Sequence, residues 1–547
     1  MPARICVLLL LLCLVSFCCG SNKPGEVLLV IACPPYTLHA RSECSALSHS
    51  VLEQQRALVL TGILPGDFVL NVHLMHELFN HWTLLDALPH LSGQARVLGA
   101  RTEWIIWCQH NTRVSSLRGL LEQLRRQDPR ELSFYGHALY DAEATIIHHF
   151  SNHKDPQRFP YPMLSAGVIF TGALLRRLAD LVASTGHNIT VHSDFSIDAS
   201  YELARFIFDN VPPAPHISTP ISGGIMLKSA SYICPTAASV PHRKVACVLH
   251  AQPEEPLTLG QRRHGCLHTT TGSHIYFAIK TCAKFHKERI PIIERTWAAD
   301  ARNRRYYSDV ADVGIPTIST GIPNVQTGHC AKTMAILQLS LKDIGEQLDI
   351  RWLMLVDDDT LLKPPLIHTH FPTSVPRVSA LLCRHNATEL VYLGQRYGYR
   401  LHAPDGFNYH TGGAGIVLSL PLVRLIVERC SCPSASAPDD MILGYCLQAL
   451  GVPAIPAAGM HQARPQDYAG ELLQLQPPLS FHKFWNTDPE HTYRRWLGGS
   501  LVNRSAPLEA HKEQPAAGPL HTVMGRHSLA AGFRLLQATG LGKHLDL

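Results

Sequence analysis

Three consecutive carboxylates, Asp357, Asp358 and Asp359, close the apolar run 353–356. Like charges set this tightly repel one another unless a cation or water offsets them. A divalent metal would do so, and would also neutralise the phosphates of a leaving group. A solvated turn or helix cap accommodates the same triplet. Further along, the stretch 409–419 (YHTGGAGIVLS) carries Gly412, Gly413 and Gly415. Glycines so placed either let the backbone approach a ligand closely or simply make a tight turn. Asp439 and Asp440 precede the helical pattern Met441, Ile442, Leu443, Tyr445 and Leu447. Asp439 reads as the cap of that helix. Asp440 could instead face a crevice as general base toward an acceptor hydroxyl. His482, within SFHKFW, is either a packed ring or, if the fold brings it to the triplet, an imidazole ligand. Imidazole joined to carboxylates suits manganese better than magnesium.

An α/β architecture would position these groups, because ligands of open sheets sit beyond the carboxyl ends of the strands. The sequence also repeats itself. WIIWCQHNT at 104–112 answers WLMLVDDDT at 352–360, FYG at 134–136 answers YLG at 392–394, and SAGVIF at 165–170 answers GAGIVL at 413–418. Asp194 before one amphipathic helix answers Asp440 before another. Landmarks in the same order, each displaced by about 250 residues, predict a duplicated α/β domain. The first copy places Gln109, His110 and Asn111 where the second has its carboxylates, so it lacks the charge that would hold a hard cation. The expected division is a leader at 1–20, a degenerate domain at 21–240, a connection at 241–270, a catalytic domain at 271–505 and a tail at 506–547.

The 547 residues carry 48 Lys plus Arg against 43 Asp plus Glu, a net charge of +5 with no long basic run, which argues against a nucleic-acid partner. Arg4, an apolar stretch too short to span a bilayer comfortably, and then Cys18, Cys19, Gly20 and Ser21 have the grammar of a cleaved signal peptide. No stable membrane span is expected. The final residues HLDL approach a retention signal of the HDEL type, an address read by a receptor, which predicts residence in the endoplasmic reticulum lumen. Sequons at Asn188, Asn386 and Asn503 fit that compartment, as does an even set of twelve cysteines outside the leader. Cys430 and Cys432 are too close for a zinc knuckle, so structural bridges are expected.

The run 279–297 (IKTCAKFHKERIPIIERTW), followed in order by VDDDT, TGGAG, PDDMILG and FHKFW, resembles the fringe-like β-1,3-glycosyltransferases over roughly 275–496. EATIIHH at 143–149 and SDFSID at 193–198 extend the similarity into the first half, toward members that glucosylate O-linked fucose on thrombospondin type 1 repeats. The resemblance implies two tandem GT-A-like domains, the first degenerate, with UDP-glucose as donor, Mn2+ as cofactor and inversion in a single displacement. By motif position Asp359 and His482 would bind the metal, Asp358 and Arg289 the donor, and Asp440 would be the base. The planar fork of Arg289 suits a phosphate or sugar partner, although alone it reads as a surface charge. Cys282 replaces the threonine found in many fringe-like relatives, and Cys330 is its candidate disulfide partner.

Overall fold

The computed structural model describes residues 26–498 apart from 65–68, 77–81, 95–96, 151–155, 184–192, 214–223, 238–245, 254–265, 268–269, 346, 348, 364–376 and 402. The expected leader and tail, Asn188, Asn503 and most of 241–270 lie outside the described residues.

The first-half strands that build its large sheet or reach the second half are β1 (Glu26–Cys33), β2 (Leu70–His76), β3 (Thr102–Gln109), β4 (Phe134–Gly136), β5 (Val168–Thr171), β6 (Phe195–Ser196) and β7 (Lys228–Ser229). The second half supplies β8 (Ile275–Lys280), β9 (Asn303–Ser308), β10 (Thr317–Ser319), β11 (Trp352–Asp357), β12 (Thr360–Leu362), β13 (Tyr392–Gly394), β14 (Arg396–Tyr399), β15 (Phe407–His410), β16 (Ile416–Ser419), β17 (Ala454–Pro456) and β18 (Ser480–His482). One large sheet runs β7-β4-β5-β3-β1-β2 and the other β17-β13-β16-β11-β8-β9-β10. The two orders correspond strand for strand until the added edge strand β10. The pairing sense agrees as well: β3 is parallel to β1 and antiparallel to β5, and β11 is parallel to β8 and antiparallel to β16.

The correspondence reaches individual hydrogen bonds. Thr112 Oγ1 accepts from Gln109 N and donates to Ser165 O, while Thr360 Oγ1 accepts from Asp357 N and donates to Gly413 O. Gly167 and Gly415, each opening the next strand, have φ of 91° and 89°. That left-handed geometry is where a side chain would be strained. The helix answering the one at Asp440 is Ala199–Asn210, capped by Asp198 rather than Asp194, because the Asp198 carboxylate accepts from Ser200 N and Tyr201 N.

β8 and β11 are almost wholly apolar because both faces of their sheet are covered. Tyr276, Ala278, Leu353 and Leu355 pack with Ile336 and Leu337 of helix Cys330–Ile344. Phe277, Ile279, Met354 and Val356 pack on the other side with Trp297 and Phe481. The halves are joined by more than the chain. β6 adds to the β14–β15 hairpin with Ser196 opposite Gly398, and Trp82 Nε1 donates to Asn408 Oδ1 at 2.9 Å. Leu249–Ala251, inside the expected connection, forms a strand antiparallel to Thr112–Val114, so first-half structure continues past residue 240. Its apolar residues Leu249 and Ala251 are buried there, which an exposed linker would not allow.

The expected Cys282–Cys330 bridge is not formed. Cys330 bonds Cys432, and Cys430 bonds Cys446. Cys330 clusters with Ala437 and Ile442 on the side of the loop that carries Cys432, whereas the Cys282 thiol feels the charges of Asp358 and Lys332. Cys33–Cys44, Cys234–Cys247 and Cys266–Cys383 complete the described bridges, leaving Cys108 and Cys282 as buried thiols. Among the described residues no helix is long and apolar enough to cross a membrane.

Candidate active site

The acidic triplet turns the chain from β11 into β12, and β12 pairs antiparallel with β18 so that Thr360 faces His482 across the ladder. Cross-strand partners bring their neighbourhoods together, and here the ladder carries an imidazole from a distant segment to the carboxylates. His482 Nε2 lies 3.1 Å from Asp359 Oδ1 and 3.9 Å from Asp357 Oδ2. Its Nδ1 lies 3.0 Å from Gln462 O, a carbonyl that can only accept, so Nδ1 carries hydrogen and Nε2 is left to face the carboxylates. Asp357, Asp359 and His482 each offer a donor atom within 4.8 Å of the others. Two oxygens and a nitrogen, converging in a largely buried corner, fit a divalent cation of borderline hardness. Gly413 makes room for the ring: a β-carbon there would stand 2.3 Å from His482 Nδ1.

Arg289 Nη1 reaches Asp358 Oδ1 at 2.8 Å and Asp359 Oδ2 at 3.0 Å, with its guanidinium 3.6 Å over the Phe285 ring. Thr281 Oγ1 donates to the second oxygen of Asp358 at 2.7 Å. Asp358 is thus buried behind Arg289, and it is Arg289 that lines the cavity. Burial and then the charge of Asp359 push Asp358 up to about 6, against Arg289 and Thr281. For Asp359 burial acts upward too, but His482 and then Arg289 outweigh it and hold the carboxyl well below the usual carboxylate range.

Asp439 is not the expected helix cap. Its carboxylate accepts from Lys280 Nζ at 2.7 Å and from Thr333 Oγ1 at 2.6 Å, while helix Asp439–Ala449 starts without a side-chain cap. Lys280 ends β8 and also lies 3.1 Å from Asp357 Oδ1, so one buried ammonium serves carboxylates from two loops. Sequence reading missed Lys280 and the ligand geometry of Asp357. The available signal was a lysine closing an otherwise apolar strand, IYFAIK.

Asp440 accepts from Met441 N at 2.8 Å and from Gly412 N at 3.3 Å, which ties it to the glycine turn. Burial first, and then the neighbouring Asp439 charge, raise it to about 7 in spite of those donors. A carboxylate poised there suits general base work at neutral pH. A cavity of about 780 Å³ joins these groups, with Lys280, Arg289, Asp359, Gly412, Asp440 and His482 on its walls. A separate cavity of about 750 Å³ contains Gln109, His110 and Asn111. Asn386 sits in a surface turn, where its amide donates to Glu389 and its carbonyl oxygen accepts from Thr388.

The fringe-like family profile matches residues 270–500. Over a longer span the chain is similar to β-1,3-glucosyltransferase from Mus musculus, 38% identical over 501 residues that cover 90% of this chain and 92% of the relative. The human β-1,3-glucosyltransferase is 38% identical over 475 residues, covering 87% and 85%. The β-1,3-N-acetylglucosaminyltransferase manic fringe of Danio rerio is 26% identical over 227 residues, covering 38% of this chain and 59% of its own.

Proposed function

Because the chain belongs to the fringe-like β-1,3-glycosyltransferases it is a glycosyltransferase, and we propose that it transfers glucose from UDP-glucose, with inversion, to the 3-hydroxyl of O-linked fucose on thrombospondin type 1 repeats. The glucose assignment is supported by the whole-length similarity to β-1,3-glucosyltransferases, in contrast to the partial coverage of the N-acetylglucosaminyl relatives. The observation that carries the catalytic reading is the convergence of Asp357, Asp359 and His482 on one wall of the cavity that also holds Asp440.

Asp359 and His482, joined by Asp357, would hold the metal, taken to be manganese from the mixed donor set. When bound, that ion supplies charge neutralisation for the departing diphosphate. Arg289, braced by Asp358 and Phe285, offers its fork to the donor. Asp440, held by the amides of Gly412 and Met441, takes the proton of the attacking hydroxyl. The bond from the acceptor oxygen to the anomeric carbon forms as the bond to UDP breaks, which inverts that carbon.

The first half is read as a degenerate GT-A-like domain. Its sheet has the strand order of the catalytic one, and amide and imidazole groups replace the carboxylates. Residence in the endoplasmic reticulum lumen is supported by the bridges described above, which persist in oxidising compartments. A donor screen with Mn2+ against a fucosylated thrombospondin repeat tests the reading. Glucose incorporation from UDP-glucose alone is expected; preferential use of UDP-galactose or UDP-N-acetylglucosamine would refute it.

A further inference from the structure

The catalytic cavity is not walled by the second half alone. Ile146, Phe195 and Ile197, all from the first half, line it together with Asp440. They come from the two first-half motifs, EATIIHH and SDFSID, to which the mechanism above gives no role. We propose that these three side chains form the acceptor-facing wall of the catalytic cavity, so that the degenerate half completes the active site and selects an acceptor sugar with an apolar face.

The chemistry of the cavity is segregated. Lys280, Arg289, Asp357, Asp359 and His482 bring charge to one set of walls, where a diphosphate belongs. Ile147 and Ile197 are buried in the same apolar cluster as Tyr397, Tyr409 and Met441, and Ile146 and Phe195 pack against it. Met441 directly follows Asp440, so this apolar surface adjoins the proposed base. A group that offers its hydroxyl to Asp440 shares the cavity with the first-half residues. On the function proposed above, that group is a 6-deoxy sugar, whose methyl takes the place of a hydroxyl and favours an apolar contact.

The wall is held firmly. Arg400 N donates to Asp194 O at 2.6 Å, and the Phe195 and Tyr399 rings are 5.3 Å apart. Behind it, the buried His148 places Nδ1 2.7 Å from Asp141 and Nε2 3.0 Å from Asp198, tying the 146–148 turn to the end of the SDFSID segment. The ring also stacks on Tyr201 at 4.0 Å. Glu202 Oε1 accepts from Ile197 N at 2.5 Å and fixes that residue from the following helix. His148 is a positioning residue; the contacts belong to Ile146, Phe195 and Ile197.

The test is steady-state transfer to a small aryl α-fucoside by the full chain, comparing Phe195→Ala, Ile146→Ala and the conservative Phe195→Leu, with UDP binding measured alongside. Phe195→Ala and Ile146→Ala are expected to raise the fucoside KM at least fivefold while UDP affinity and the UDP-glucose KM stay within twofold. Phe195→Leu should recover most of the loss. A fucoside KM unchanged in both alanine variants, with UDP binding intact, overturns the wall while leaving the functional reading in place. If the parent enzyme glucosylates no fucoside at all, the functional reading fails and this proposal falls with it. Loss of UDP affinity in the alanine variants equal to the loss in fucoside KM would show general disruption, and also overturns it.

Discussion

His482 stands over Gly413 with no space for another carbon, and the same ring turns Nε2 to Asp359 at 3.1 Å. The glycine turn and the metal corner are therefore one structure. Gly413→Ala should push the imidazole off its Gln462 hydrogen bond and weaken Mn2+-dependent UDP binding at least tenfold, although no ligand is altered. Calorimetric titration of UDP with and without Mn2+ checks this, and the cost to stability should stay within the ~1–3 kcal/mol typical of overpacking.

Lys280 compensates Asp357 and Asp439 from a position with a side-chain exposure of only 10%. Removing one member of a buried ion pair strands the rest, at about 3–5 kcal/mol. Lys280→Met should lower the unfolding free energy by about that amount in denaturant titration. The double variant Lys280→Met with Asp439→Asn should regain part of it.

Burial and Asp439 raise the Asp440 carboxyl to about 7. A general base works deprotonated, so kcat should climb with pH through about 7 and level off above it, and fall as Asp440 is protonated on the acid side. A pH profile of kcat under saturating donor and acceptor reads this directly. A profile already flat from pH 5 upward would remove the assignment.

Cys330 is bonded to Cys432 across 102 residues of sequence. Closing a loop of that size contributes about 4–5 kcal/mol in the chain-entropy account. Non-reduced peptide mapping should recover the Cys330–Cys432 and Cys430–Cys446 pairs. Cys282→Ser should leave both pairs and the thermal midpoint nearly unchanged, whereas Cys330→Ser should lower the midpoint markedly.

What the sequence disclosed depended on locality. Apolar strands buried on both faces, the triplet at the end of one of them, and an ordered repeat are local patterns, and the two matched sheet orders follow them. Asp440 and His482 could be singled out because carboxylates and imidazoles stand apart in apolar surroundings. Asp439 differs from its sequence expectation, because an acidic residue at a helix start looks the same whether it caps the helix or binds a lysine some 159 residues away. Cysteine pairing was out of reach for a similar reason, since many connectivities share one sequence. The first-half contribution to the cavity arises from the pairing of Ser196 with Gly398, a contact no periodicity encodes.

The most direct test of the proposed division of labour is Asp440→Asn, assayed for UDP-glucose binding and for glucose transfer in the same buffer with Mn2+. Nucleotide affinity should stay within about twofold of the parent, and the transfer rate should fall by roughly 10² to 10⁴, the usual worth of a positioned base. Transfer at the parent rate by that variant would contradict that division of labour.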